Sequence, residues 1–216
     1  MSNNVYGVFG ASGFGREVMP LVKQMALEND YLVFIDDAPK SVTLNGYDVL
    51  TYEQFIALEN KSKKITIAIA DSTIRKTLST RIKNDEVETF QVEASNTVKM
   101  DHVSIDEGAI LSPFVTLTSN VEIGSYFHAN IYSYVAHDCK IGNFVTFAPS
   151  VKCNGNVYIE DFAYIGTGAI IKQGTPEKPL VIGKGAIVGM GAVVTKSVKA
   201  GDVVFGNPAK SFKRGK

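Results

Sequence analysis

From Val103 onward the chain repeats in sixes. Taken in six-residue blocks, it places an apolar residue at the third position twelve times in succession: Ile105, Leu111, Leu117, Ile123, Ala129, Val135, Ile141, Phe147, Cys153, Ile159, Ile165 and Ile171. The first position, running from Val103 through Ala109 and Val115 to Ala163 and Ala169, is small or apolar throughout. Neither a helix, with period 3.6, nor a strand, with period 2, produces this pattern. Hexapeptide periodicity predicts a left-handed parallel β-helix, in which short strands form the flat sides of a prism. Each block then buries one large and one smaller side chain in a shared narrow core. The phase slips across 172–179 and returns at Ile182, Val188 and Val194, which predicts a loop thrown out of one coil.

The first hundred residues follow a different rule. An apolar strand over 5–9 runs into Gly10-Ala11-Ser12-Gly13-Phe14-Gly15, and helical spacing of Val18, Leu21, Val22 and Met25 predicts a helix over 16–27. A second strand, 32–35, ends at Asp36-Asp37. A helix over 52–58, a strand over 64–70 and a helix over 72–83 capped by Ser72 complete the order βαβαβα. That order predicts a small Rossmann-like α/β domain over 1–96, followed by the all-β solenoid over 97–216. Glycine at the first turn lets a backbone approach a phosphate at the helix N-terminus, and an acidic residue ending the second strand can accept from a hydroxyl or a base N–H. The spacing here is G-x-x-G-x-G rather than the dinucleotide fingerprint G-x-G-x-x-G, and three parallel strands are few for a whole dinucleotide.

Composition narrows the partners. The 216 residues carry 22 Lys plus Arg against 22 Asp plus Glu, so no global basic field points to nucleic acid. A small-molecule partner is expected. No signal-like or membrane-length apolar segment is visible, and a cytoplasmic location is expected. Cys139 and Cys153 fall on core positions of the hexapeptide pattern, which predicts buried free thiols.

Candidate chemistry comes from phase. His137 stands two residues past the inward Val135, so its imidazole points away from the core, and Asp138 follows it directly. On a three-sided coil residues eighteen apart stack, which brings Gly155 over His137 and His128 beside Thr146. An imidazole on a rigid wall with a carboxylate neighbour suits a general base near neutral pH. His102, His128 and His137 are separated by 26 and 9 positions, neither a multiple of the coil, so the three-histidine metal site of a γ-class carbonic anhydrase is not expected.

The glycine turn, Phe34-Ile35-Asp36-Asp37, the segment Ala136-His137-Asp138-Cys139-Lys140-Ile141-Gly142, Lys152-Cys153-Asn154-Gly155-Asn156-Val157 and the ending Gly206-Asn207-Pro208-Ala209-Lys210 together resemble the sugar N-acyltransferases of the PglD and NeuD type, over essentially the whole chain. The resemblance implies acetylation of the 4-amino group of a UDP-linked amino-dideoxy sugar by acetyl-CoA, in a homotrimer with sites between subunits. It implies His137 as general base and Asp138 as its acidic neighbour. It implies Ser12, Gly13 and Phe14 at the sugar-nucleotide phosphates, Asp36 and Asp37 at the uracil, Ala70 as a backbone contact and Asn130 at the sugar. On the donor side it implies Thr146, Gly155, Thr167, Gly189 and Met190; apart from the resemblance, the basic tail of Lys210, Lys213 and Arg214 is expected to contact the CoA phosphates if His128 takes no part in holding the donor. Two departures stand out: Thr146 replaces a family histidine that contacts acetyl-CoA, and Phe14 replaces a histidine often found in the glycine turn. O-acetylation of a sialic acid, which shares both domains, is the nearest alternative; a non-catalytic sugar-nucleotide-binding solenoid is another.

Overall fold

The computed structural model describes residues 4–59 and 62–212. Lys213 and Arg214 lie outside the described residues. The chain divides into two compact units, Met1–Val92 and Glu93–Lys216.

The first unit is one sheet in the order β3-β4-β2-β1-β5-β6, with β1 Asn4–Phe9, β2 Tyr31–Ile35, β3 Thr43–Leu44, β4 Tyr47–Leu50, β5 Ser62–Ile67 and β6 Glu88–Thr89. All neighbours are parallel except the β3–β4 hairpin. Val5, Val8, Phe34, Ile35, Ile65 and Ile67 form its buried centre, as expected of strands covered on both faces. Helix α1, Gly13–Met25, begins three residues ahead of the expected Arg16 and buries Val18, Met19, Leu21 and Val22. Two glycines make the strand-to-helix turn possible. Gly10 sits at φ +121°, where a Cβ would come within 2.7 Å of the Ala68 carbonyl oxygen, and a Cβ on Gly15 would collide with the carbonyl oxygen of Gly10. Helix α2, Tyr52–Ile56, is short and closed by a Thr51/Gln54 capping box.

Helix α3, Ser72–Asn84, corrects one expectation. Its cap is Asp71, not Ser72: the Asp71 carboxylate accepts from the amides of Thr73 and Ile74, both at 2.9 Å, and Ser72 is already the first helical residue.

The second unit is the expected β-helix. Three sheets form its sides, parallel except for the final antiparallel pair Val203–Phe205 and Lys210–Ser211, and strands one coil apart pair at a spacing of 18 residues, as in Ile110↔His128↔Thr146↔Tyr164. The first strand of the prism, Val92–Glu93, lies ahead of the boundary read from the sequence. First- and third-position side chains from Ala109 to Ile171 are almost completely buried. Between Val157 and its partner Leu180 the spacing lengthens to 23, and the extra residues form the loop over 172–179 that the phase slip foretold, pinned by a Thr175↔Lys178 bridge. At the corners the chain turns through left-handed residues, among them His102, Asn120, Asp138 and Asn156, each a coil above the last. No helix among the described residues is long and apolar enough to cross a membrane.

Candidate active site

The base candidate is built from three successive coils at one corner of the prism. His137 Nδ1 lies 2.7 Å from Asp138 Oδ2, and Asn120 Nδ2 donates to Asp138 Oδ1 at 3.2 Å. Contact with His137, with help from the Asn120 amide, holds the Asp138 carboxyl below its ordinary value. An ionised carboxylate only accepts, so His137 Nδ1 is the donor in this pair, and in the neutral form of the ring the lone pair is on Nε2. Gly155 forms the floor under the ring. A Cβ there would stand 2.5 Å from His137 Cε1 and 2.6 Å from Nε2, so only a residue without a side chain lets the imidazole lie where it does.

The floor is held in turn. The Asn154 side chain donates to the carbonyl oxygen of Ile171 at 2.7 Å and accepts from the Tyr134 hydroxyl at 2.9 Å, while the Asn156 amide donates to the His137 carbonyl oxygen at 3.0 Å. Burial pushes the Tyr134 hydroxyl up from its ordinary value, so it remains a donor. Beneath this surface Cys139 and Cys153 are buried free thiols, and contact with Cys139 together with burial pushes the Cys153 thiol well up. The same contact draws the Cys139 thiol down, but both sulfurs are wholly buried and a nucleophile needs access.

His128 and Thr146 pair in register, as the period requires, and both are buried, His128 at 0% exposed and Thr146 at 3%. Asn130 is half-buried, and its amide donates to the Phe147 carbonyl oxygen at 2.7 Å. Gly189 is buried where a Cβ would run into the Phe205 ring, Met190 beside it is 78% exposed, and the exposed Thr167 accepts from the Gly191 amide through its carbonyl at 2.8 Å.

In the first unit, Ser12 and Asp36 line one cavity of about 340 Å³ together with Lys40, Ser41 and Thr43. Those last three were missed in the sequence. The signal was present: Asn45-Gly46 between Thr43-Leu44 and Tyr47-Leu50 is a hairpin turn, and both residues adopt positive φ. Asp36 and Asp37 part company. Asp36 Oδ1 accepts from the Ala38 amide at 2.9 Å at the cavity wall. Asp37 is tied into the scaffold, accepting from the Tyr52 amide at 3.1 Å and pairing with Arg81 at 2.9 Å, and Arg81 also pairs with Glu53 and lies 4.0 Å over the Tyr52 ring. Gly13 and Phe14 open helix α1 just past Ser12. Ala70 follows β5, and its carbonyl, with that of Ile69, accepts from the buried Arg75 guanidinium at 3.1 and 2.8 Å. A wider hollow of about 530 Å³ follows the prism face of Glu122, Lys140 and Tyr158, and His137 is not on it.

Residues 7–82 match the family model of the PglD N-terminal domain. GDP-perosamine N-acetyltransferase of Escherichia coli O157:H7 is 53% identical over 215 residues, which is 98% of this chain and 97% of that one. Among solved structures, WeeI from Acinetobacter baumannii AYE superposes with a TM-score of 0.95 at 60% identity, covering 97% of this chain and all of its own. The acetyltransferase domain of PglB from Neisseria gonorrhoeae FA1090, solved in complex with acetyl coenzyme A, gives 0.86 at 25% identity over 96% of this chain and 98% of that one.

Proposed function

From the premise that the chain belongs to the PglD-type sugar N-acetyltransferases and is an acyltransferase, we propose that it transfers an acetyl group from acetyl-CoA to the 4-amino group of a UDP-linked amino-dideoxy sugar, as a cytoplasmic homotrimer. The observation that carries this reading is the His137–Asp138 pair resting on Gly155. His137 Nε2 takes the proton from the sugar amine as its lone pair attacks the thioester carbonyl. Asp138 stabilises the imidazolium that forms. The negative charge that develops on the carbonyl oxygen needs a fixed donor. In the turn under His137, Asn154 N is committed to Ile171 O and Asn156 N to His137 O. The Gly155 N–H is therefore the donor assigned to the oxyanion. Collapse of the tetrahedral intermediate expels the CoA thiolate, and the proton on His137 is available to it. With both cysteines buried, transfer is direct within a ternary complex, with Gly155, Thr167, Gly189, Met190 and Thr146 on the donor side.

The acceptor's nucleotide is assigned to the first-unit cavity, whose volume suits a nucleobase. Helix α1 begins at its edge with Ser12, Gly13 and Phe14, and Lys40 supplies a cation for a diphosphate. Asn130 is assigned to the sugar and Ala70 to a backbone contact. Trimerisation is supported by the exposed, flat-stacked pair Phe114 and Tyr132, with ring centroids 4.8 Å apart, on the outside of the prism. A second reading of the nucleotide rests on the near-full-length relative at 53% identity, whose substrate is named as GDP-perosamine. Guanine offers a carboxylate such as Asp36 two adjacent N–H donors, where uracil offers one.

Measuring CoA release from acetyl-CoA against UDP-linked 4-amino-dideoxy sugars, GDP-perosamine and free sialic acid decides among these. Turnover with the UDP sugars is expected. Preference for GDP-perosamine would replace the nucleotide, and turnover with sialic acid alone would overturn N-acetylation.

The differing roles of the two acidic residues give a further expectation. Asp36→Ala should weaken sugar-nucleotide binding about ten- to a hundredfold, the scale of a hydrogen bond to a charged group, with acetyl-CoA affinity unchanged. Asp37→Ala should act on stability, by about 1 kcal/mol for a half-exposed ion pair, visible as a lower Tm. Calorimetry showing equal loss of both ligands in Asp36→Ala would mean that Asp36 belongs to the scaffold as Asp37 does.

A further inference from the structure

One corner of the prism carries a column of left-handed residues, His102, Asn120, Asp138 and Asn156, at φ between +57° and +59°. Backbone bonds fix the last three. Asn120 N donates to Asp101 O at 3.0 Å, Asp138 N to Ser119 O at 3.2 Å and Asn156 N to His137 O at 3.0 Å. Within this column the Asp138 carboxylate is shared between two donors, one on each oxygen: His137 Nδ1 on Oδ2 at 2.7 Å and Asn120 Nδ2 on Oδ1 at 3.2 Å. Asp138 is nearly half exposed. Left to itself, an exposed aspartate rotates among solvated rotamers and loses entropy each time it meets the imidazole. An amide clamped to the far oxygen removes that freedom.

Resting on the assignment of His137 as the base, we infer that Asn120 is a positioning residue for the reaction: it holds the plane of the Asp138 carboxylate so that one oxygen always faces His137 Nδ1. Asn120 touches neither substrate nor the reacting atoms. Its effect passes through Asp138, whose charge it also helps to keep. The other titratable groups around this carboxylate are the Cys139 thiol on its own coil and, two coils away along the column, Asp101 and His102.

Two substitutions at Asn120 should move the acidic limb of the kcat/KM profile in opposite directions. Asn120→Ala frees Asp138 and weakens its hold on the imidazolium. The limb should move to lower pH, toward that of Asp138→Asn, with kcat about five- to tenfold lower and the KM for acetyl-CoA unchanged. Asn120→Asp places a second carboxylate beside the first. The added negative charge favours the imidazolium, and the limb should move to higher pH. A merely structural asparagine would lower activity or Tm in both variants without moving the limb at all, and that result would overturn the inference. His137→Ala, measured alongside, separates the two levels. If it is inactive while both Asn120 limbs stay in place, only the role of Asn120 falls. Native turnover without His137 would remove the base and Asn120's role with it.

Discussion

Replacing His137 by alanine should lower kcat at least about a hundredfold, the usual scale for a general base, with the oligomeric state and nucleotide-sugar affinity retained. The expectation of an intact protein follows from where the ring lies. Its side chain is 60% exposed on the outer surface of a coil whose core is made by other residues, so its loss opens no cavity. Steady-state CoA release, with light scattering on the same preparation, checks both halves, and native turnover in this variant would take the histidine out of the mechanism. The pH dependence has a definite sign. Asp138 is held below its ordinary value by His137 and so is charged wherever an imidazole titrates. Acid therefore stops the reaction by protonating the base rather than the carboxylate. Removing that negative charge in Asp138→Asn destabilises the imidazolium, and the acidic limb should move to lower pH. An unmoved limb would leave Asp138 as an ordinary surface residue.

Much of the prism was legible because its period states the same constraint in coil after coil. A six-residue repeat says which side chain enters the core and, at three blocks to a coil, which residues stack; Gly155 under His137 and Thr146 beside His128 followed from counting. Counting could not say what lies over the outer side of a strand. His128 holds an outward position and is nevertheless fully buried, a fact about tertiary covering that no periodicity encodes. The His137–Asp138 contact had only adjacency to recommend it. In extended chain adjacent side chains diverge. The left-handed φ of +58° at Asp138 turns the chain at the corner, and in that conformation its carboxylate meets the ring. In the first unit, attention to the glycine turn and to Asp36-Asp37 passed over the hairpin signal at Asn45-Gly46, and with it Lys40, Ser41 and Thr43 on the cavity wall. The misplaced cap at Ser72 was a choice between two good capping residues side by side, which only the extended backbone of Asp71 resolves.

The second large effect is expected at a residue with no side chain. Gly155→Ala should cost on the order of a hundredfold in kcat while leaving the fold intact. The added Cβ would meet three ring atoms of His137 at 2.5, 2.6 and 2.9 Å, against an ordinary contact of 3.4 Å or more, so the imidazole must move by about 1 Å, and a displacement of that size is enough for such a loss. Folding should not suffer, because Gly155 is not among the glycines with positive φ and alanine fits its backbone. Tm should stay level or rise slightly. The substitution also separates two roles assigned to this turn. Alanine keeps the backbone N–H assigned above to the oxyanion and disturbs only the ring above it. The loss should therefore come with a shifted acidic limb, as the Nδ1–Asp138 contact is pulled out of line. A Gly155→Ala enzyme with full kcat and an unchanged limb would show that the ring has another productive position, and the floor under His137 would then be a packing feature rather than part of the reaction.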